Sequence, residues 1–87
     1  MIRVLYGPGF LHSAEKLPRE QLAKLGVLLQ LLGQNPYHPK LHTKPLAGEL
    51  SGFYSFRITR DWRVIFQFMD AETIQLLRVK HRREAYR

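Results

Sequence analysis

The spacing of the apolar residues changes along this chain, and that change constrains the fold more than any other feature of the sequence. Leucines recur at helical spacing in the first half, at Leu22, Leu25, Leu28, Leu29 and Leu32. This stripe predicts an amphipathic helix that follows Pro18 and ends at Gly33 and the Asn35-Pro36 pair. Beyond Tyr54 the apolar residues alternate with polar ones, which is typical of half-buried strands. We therefore expect helices first and a sheet afterwards.

Two alternating stretches late in the chain predict a β-hairpin. A three-residue connection, 60–62, sets apolar side chains opposite one another and pairs Ile58 with Val64, Phe56 with Phe66 and Tyr54 with Phe68. A slip of one residue would turn every side chain to the other face, so burial favours the pairing that keeps the apolar residues together. The polar side chains then share the opposite face: Ser55, Arg57, Thr59 and Arg63.

The remaining segments complete an α+β fold. Residues 2–6 predict a short strand, residues 10–17 a short helix, and the proline-containing segment 37–52 a surface loop. Residues 73–80 predict a third C-terminal strand. Its register is ambiguous, because its apolar residues fall on both faces of the strand. We expect one domain, 1–87, with a small antiparallel sheet made of the N-terminal strand and three C-terminal strands. Two N-terminal helices should pack on one face of that sheet.

The positive charge is concentrated toward the end of the chain. The 87 residues carry 14 Lys and Arg against 7 Asp and Glu, a net charge of +7, and eight of the basic residues lie at positions 57–87. Such a chain attracts polyanions. A chain of this length builds only one compact core, so we do not expect a large pocket for a nucleotide cofactor.

Several other classes of protein fit the composition poorly. The chain has no cysteine, which excludes a disulfide framework, a thiolate metal site and a cysteine nucleophile. His38 and His42 lie four apart with a proline between them, which is not a helical metal pair. We expect neither a metal nor a cofactor. The longest apolar stretch, 27–32, is too short to span a membrane, and the first residues lack a signal-peptide pattern, so we expect a cytoplasmic location.

Three short motifs in the second half carry a resemblance to a known family. They are LAGELSGFYSFRI at 46–58, DWRVIF at 61–66 and VKHRREAY at 79–86. In this order they resemble the RelE/ParE superfamily of bacterial toxins, with the second motif most similar to the YafQ branch and the third to RelE. Both branches are messenger-RNA endonucleases that a cognate antitoxin holds inactive. The resemblance therefore implies a type II toxin whose partners are an antitoxin, messenger RNA and the ribosome.

The resemblance also implies a reaction and a set of catalytic residues. RNA can be cut without a metal when its 2′-OH attacks the adjacent phosphate, provided that nearby groups stabilise negative charge and transfer protons. The positions that match the family's catalytic residues are Arg57, Arg63, His81, Arg82 and Tyr86. Arg63 matches the arginine that contacts the phosphate, Arg82 the arginine that assists the leaving group, and Tyr86 a proposed general base. His81 lies near the tail histidine of YafQ-like enzymes, so the choice of base stays open.

Two positions depart from the family pattern. Ser55 stands where RelE has a first lysine, and Arg57 stands where RelE has a catalytic lysine and YafQ a histidine. Arginine is permanently protonated, so Arg57 is a poor base. Additional RNA contacts are predicted for residues of the basic face, the turn and the tail: Ser55, Arg60, Asp61, Arg78, Lys80 and Arg83.

Two other functions remain compatible with the sequence. A ParE-type toxin would inhibit DNA gyrase and cleave nothing, although that branch lacks the full set of catalytic positions matched here. A basic RNA-binding module without catalytic activity would share the charge, and its expression would be harmless.

Overall fold

The computed structural model describes residues 1–85, and its main helices and strands follow the predicted order. Strand β1 (Arg3–Tyr6) leads into helices α1 (Pro8–Ala14) and α2 (Arg19–Gln34), and a two-residue strand, β2 (Lys44–Pro45), lies in the loop that follows. Next come β3 (Tyr54–Arg57), β4 (Trp62–Asp70), β5 (Thr73–His81) and a short helix, α3 (Arg82–Ala85). Two 3₁₀ turns, Pro39–Leu41 and Gly48–Leu50, lie on either side of β2.

The strands form one mixed sheet in the order β1-β5-β4-β3-β2. β1 runs parallel to β5, and all other neighbouring pairs are antiparallel. The predicted α+β class is confirmed, with two differences of detail. The N-terminal strand pairs in parallel, and the loop 37–52 contributes a fifth strand. The sequence does not signal β2, because a two-residue strand that contains a proline is compatible only with the edge of a sheet.

Both long helices pack on one face of the sheet, as predicted. Leu25, Leu28 and Leu32 are buried and hold α2 against the core, whereas Leu22 is 47% exposed. The core-facing residues of the sheet are Phe56, Val64, Phe66, Ile74, Leu76 and Val79, of which alternation predicts those on β3 and β4. The opposite face of the sheet carries most of the polar residues of the strands.

The pairing of β3 with β4 corrects the predicted register by two residues. Phe56 pairs with Val64 and Tyr54 with Phe66, so the turn is 59–61 rather than 60–62. The N–H of Ile58 donates to the carbonyl of Trp62 and closes this turn. Trp62 belongs to β4, where it pairs with His81, and its ring packs edge-on against the imidazole with 5.0 Å between the ring centroids. A shift of two residues keeps every side chain on its predicted face.

A β-bulge resolves the ambiguous register of β5. Ile65 pairs with Arg78 but Phe66 pairs with Leu76, so Leu77 is an extra residue on β5. The bulge lets Ile74, Leu76 and Val79 all face the core, although their spacing does not alternate. It also leaves Arg78 on the polar face of the sheet.

The turn that joins β1 to α1 packs directly on this bulge. A Cβ atom on Gly7 would lie 2.7 Å from the carbonyl oxygen of Leu76, and one on Gly9 would lie 2.8 Å from that of Leu77. Ser13 adds a polar contact, because its hydroxyl accepts the N–H of Val79 at 2.7 Å. α1 is thus fixed to β5 beside the irregular part of the strand.

Within residues 1–85 no helix is long and apolar enough to cross a membrane.

Candidate functional site

A row of basic residues crosses the sheet on the face opposite the helices. Arg57 on β3 pairs with Arg63 on β4, and Arg63 pairs with Lys80 on β5. Paired residues of neighbouring strands point to the same face, so the three side chains start from adjacent positions. Arg57 is exposed, whereas Arg63 and Lys80 are half-buried. The sequence predicts Arg57 and Arg63 together on this face, and the structure places them there with Lys80.

The start of α3 adds a further arginine to this row. The N–H of Arg82 donates to the carbonyl of Asp61 at 2.6 Å, which ties the end of β5 to the turn between β3 and β4. The result is an open pocket of about 500 Å³, hereafter the arginine pocket, lined by Arg57, Arg60, Arg63 and Arg82.

The arginine pocket is strongly electropositive. Guanidinium groups stay protonated at all physiological pH values and present forked donors that match phosphate oxygens. The Nε atom of Arg63 is buried, so part of that guanidinium is shielded from water. Electrostatic interactions are stronger in such surroundings. The pocket therefore has the chemistry of an anion site, and a phosphate is the ligand that its donors fit best.

His81 lies elsewhere. It follows Lys80 on β5 and pairs with Trp62, so its side chain starts on the face opposite Arg63. Its Nδ1 accepts the N–H of Arg83 at 3.2 Å, a contact that supports the first turn of α3. The structure thus does not bring His81 together with the arginines. Tyr86, the other predicted base, lies outside the described residues.

The remaining predicted contacts differ in their accessibility to RNA. Ser55 is only 2% exposed, so the predicted contact between its side chain and RNA is not available in this structure. Asp61 is exposed in the β3–β4 turn, where its N–H donates to Thr59 Oγ1 at 3.2 Å. Arg78 and Arg83 are exposed. Arg78 shares the face of the basic row, two residue pairs further along the strands.

Sequence reasoning missed a second concavity on this face. A groove of about 480 Å³, hereafter the apolar groove, has mainly apolar walls, with Arg78 and Lys80 among its lining residues. Its apolar and amide-bearing lining residues are Pro8, Leu50, Phe53, Ile65, Gln75, Leu76 and Leu77. The bulge in β5 and the loop before β3 create it, and neither leaves a clear signal in the sequence. Two hints are Phe53 and Ile65, which are apolar although alternation assigns their positions to the polar face.

No group of three or more His, Asp or Glu side chains within residues 1–85 is arranged to hold a metal ion.

Comparison with known proteins identifies the family. The model of the ParE toxin family, toxins of the parDE type II toxin–antitoxin system, matches residues 6–86. The chain belongs to this family. It is therefore a toxin of a type II toxin–antitoxin system, and the resemblance to the RelE/ParE superfamily is confirmed. A search of the curated proteins finds no match.

Solved structures of related toxins share the fold over nearly the whole chain. YafQ from E. coli superposes with a TM-score of 0.80 at 18% identity and covers 100% of both chains. The archaeal RelE–RelB complex from Pyrococcus horikoshii gives 0.77 at 23% identity, covering 95% of this chain and 97% of the other. The RelBE2 toxin–antitoxin complex from Mycobacterium tuberculosis gives 0.76 at 29% identity, covering 93% and 98%. The RelE-like architecture predicted from the sequence is thereby confirmed.

Proposed function

We propose that this toxin is an endoribonuclease that cleaves messenger RNA on the ribosome by attack of the RNA 2′-OH on the adjacent phosphate. The observation that carries the proposal is the arginine pocket, in which Arg57, Arg60, Arg63 and Arg82 line one concavity. Its neighbour Lys80 extends the positive charge along the sheet. The likeness to RelE and YafQ structures supports the same reading, and the dependence on the ribosome is taken from that resemblance.

The proposed reaction uses the arginines for charge and position. A bond forms between the 2′-oxygen and phosphorus, the bond from phosphorus to the 5′-oxygen breaks, and a 2′,3′-cyclic phosphate and a 5′-hydroxyl result. Arg57 and Arg63 hold the phosphate oxygens, on which negative charge accumulates in the transition state. Arg82, which a hydrogen bond to Asp61 ties to the turn, lines the same pocket, and we assign it to the departing 5′-oxygen. It stabilises the negative charge there, and water that enters the open pocket supplies the proton that completes the 5′-hydroxyl.

The proton of the 2′-OH needs an acceptor that the four arginines cannot provide. His81 has its ring beside Trp62 and its Nδ1 on the N–H of Arg83, which is poor support for a role in the pocket. We therefore assign the general base to Tyr86. Positive charge near a tyrosine favours its phenolate form in general, and the phenolate is the form that accepts a proton.

The cognate antitoxin is the proposed protein partner. The RelBE2 structure from M. tuberculosis and the YoeB-YefM structure from Staphylococcus aureus are both of toxin–antitoxin complexes, and both share this fold. A net charge of +7 favours an acidic antitoxin segment laid over the basic face. Such a segment would compete with RNA for the arginine pocket.

Induced expression in bacteria tests the proposal. The wild-type protein should arrest growth and produce discrete 5′ ends within translated codons of a reporter message. The double substitution Arg63→Ala with Arg82→Ala should abolish both effects, whereas Arg19→Ala, an exposed arginine at the start of α2, should leave them unchanged.

Inhibition of DNA gyrase is the second candidate, because the family model that matches is that of ParE. This function predicts growth arrest with an intact reporter message and accumulation of cleaved chromosomal DNA. That result would replace the endoribonuclease proposal. Normal growth with abundant protein would instead favour a basic RNA-binding module without catalytic activity.

A further inference from the structure

The apolar groove lies beside the arginine pocket on the same face of the sheet. Ile65 and Arg78 form the next residue pair on this face after Arg63 and Lys80, so the two concavities are two residues apart along β4 and β5. Two residues along a strand span about 7 Å. Lys80 lines the groove and also pairs with Arg63, which lines the arginine pocket. An elongated ligand can therefore occupy both at once.

The groove combines apolar walls, one amide and a basic rim. Phe53 is half-buried and exposes part of its ring, and Leu50 is 41% exposed beside it. Ile65 and Leu77 add apolar surface to the groove, and the side-chain amide of Gln75 offers both a hydrogen-bond donor and an acceptor. Arg78 and Lys80 add positive charge at the side that faces the arginine pocket.

We propose that the apolar groove is a nucleobase subsite, which takes the base of a nucleotide adjacent to the phosphate bound by the arginines. This inference rests on the proposed endoribonuclease function and names how its substrate is held. An unstacked base has apolar faces that pack on an aromatic ring and a polar edge that hydrogen-bonds an amide, and its phosphate needs a cation. Phe53, Gln75 and Lys80 supply these three contacts within one groove.

Continuity of charge favours RNA over a peptide as the occupant. The groove has apolar walls of a kind that an amphipathic helix could also use. However, the groove adjoins the arginine pocket through Arg78 and Lys80, and a single strand carries a phosphate at every nucleotide to meet such a row of cations. A base in the groove also fixes which phosphate reaches Arg63, so the subsite would set the position of the cut.

Titration with a short, uncleavable RNA tests the subsite. We suggest 2′-O-methyl trinucleotides added to the ¹⁵N-labelled full chain, with dissociation constants taken from the amide shifts of Arg63 and Phe53. Removal of the base at one of the three positions should weaken binding about 5- to 100-fold, as expected for one stacked base, while removal at another position has a much smaller effect. The amide of Phe53 should shift together with that of Arg63.

Two variants show whether the loss belongs to the groove. Phe53→Leu keeps an apolar side chain but removes the ring, and it should abolish the difference between the intact and the abasic trinucleotide. Leu50→Ala, at an exposed position, is a second variant that does not disturb the core and should reduce the difference. Leu22→Ala, at a similarly exposed leucine on α2, is the matched control and should leave the difference unchanged.

The outcomes separate this inference from the proposed function. Shifts at Arg63 with no shift at Phe53, and equal affinity for all abasic trinucleotides, would overturn the subsite and leave the endoribonuclease proposal intact. Groove shifts induced by an acidic amphipathic peptide of Leu and Glu, but by no trinucleotide, would assign the groove to a protein partner and contradict the inference. No shift at either residue with any RNA would count against both.

Discussion

Arg63 is the residue on which the proposed chemistry depends most. Its backbone is paired on both sides, with Arg57 and with Lys80, and its Nε atom is buried, so the guanidinium leaves the sheet in a constrained direction. Arg63→Lys keeps the charge but loses the forked donor geometry. We expect kcat for cleavage to fall by about 10²–10³-fold, in the range found when one transition-state donor is removed. Single-turnover cleavage assays would measure this fall, and the control Arg19→Lys should leave the cleavage rate unchanged.

The general base is tested by two substitutions in the tail. Tyr86→Phe should lower the cleavage rate by about 10²–10⁴-fold, the range for loss of acid–base catalysis. His81→Gln retains a side-chain acceptor for the N–H of Arg83 and should cost much less. Rates measured on the same substrate decide between them, and the reverse order of effects would move the base to His81.

At the level of secondary structure, the contact between the β1–α1 turn and the bulge in β5 shapes the polar face. Gly7 has φ −68° and ψ 156°, which alanine also adopts, so a side chain is excluded there by close atoms, chiefly the carbonyl of Leu76. We expect Gly7→Ala to lower the free energy of unfolding by about 1–3 kcal/mol, as overpacking does. Gly26→Ala is the matched control, since a Cβ there meets nothing within 4 Å and α2 should gain about 1 kcal/mol. Denaturant unfolding would measure both.

The turn between β4 and β5 makes the stability of the protein depend on pH. The carboxylate of Asp70 accepts the N–H of Glu72 at 2.8 Å, and this bond, helped by a hydrogen bond from the Thr73 side chain, lowers the pKa of Asp70. A lowered pKa in the folded state means that the stabilisation is present above the ordinary aspartate pKa and is lost as the pH falls.

Thermal unfolding at a series of pH values tests this turn. Between about pH 5 and about pH 3 the melting temperature of the wild-type protein should fall more steeply than that of Asp70→Asn. Asparagine also supports such a turn but does not titrate. Identical slopes for the two proteins would contradict the assigned role of Asp70.

The sequence predicts the faces of the strands better than their offsets. Alternation determines which side chains of β3 and β4 face the core, because a shift of one residue would expose every apolar side chain. A shift of two residues leaves the same side chains buried, so alternation does not distinguish the two registers. The position of the turn therefore depended on Trp62, whose contact with His81 is invisible in the sequence. The bulge at Leu77 could not be predicted for a related reason. A single extra residue interrupts the two-residue period from which the faces of a strand are predicted.

For the whole molecule, the concentration of charge on one face is the property that should govern RNA binding. Each phosphate that an arginine neutralises on a single strand contributes about 0.7 to the slope of log affinity against log salt. Arg60→Ala should therefore reduce that slope by about 0.7 with a trinucleotide or longer RNA. Lys24→Ala, an exposed lysine on α2, should leave it unchanged, and salt titrations of both variants would show this.

The arginine pocket could be anticipated from the sequence, and the groove beside it could not. The alternation of the hairpin predicts that Arg57 and Arg63 lie on the same face. The resemblance to the family adds Arg82 to the predicted site. His81 illustrates the limit of that reasoning, because being next to Lys80 in the sequence puts it on the other face of the strand. The groove depends on the loop that carries Leu50 and on the bulge at Leu77, and no period or motif encodes their meeting.

The chemical nature of the ends of the cleaved message tests the central claim most directly. RNA from cells that express the wild-type toxin should carry 5′-hydroxyl groups and 2′,3′-cyclic phosphates at discrete cuts within translated codons. Both should disappear with the double substitution Arg63→Ala and Arg82→Ala, at equal protein abundance. Growth arrest with an intact message, or cuts that carry 5′-phosphates, would contradict attack by the 2′-OH in the arginine pocket.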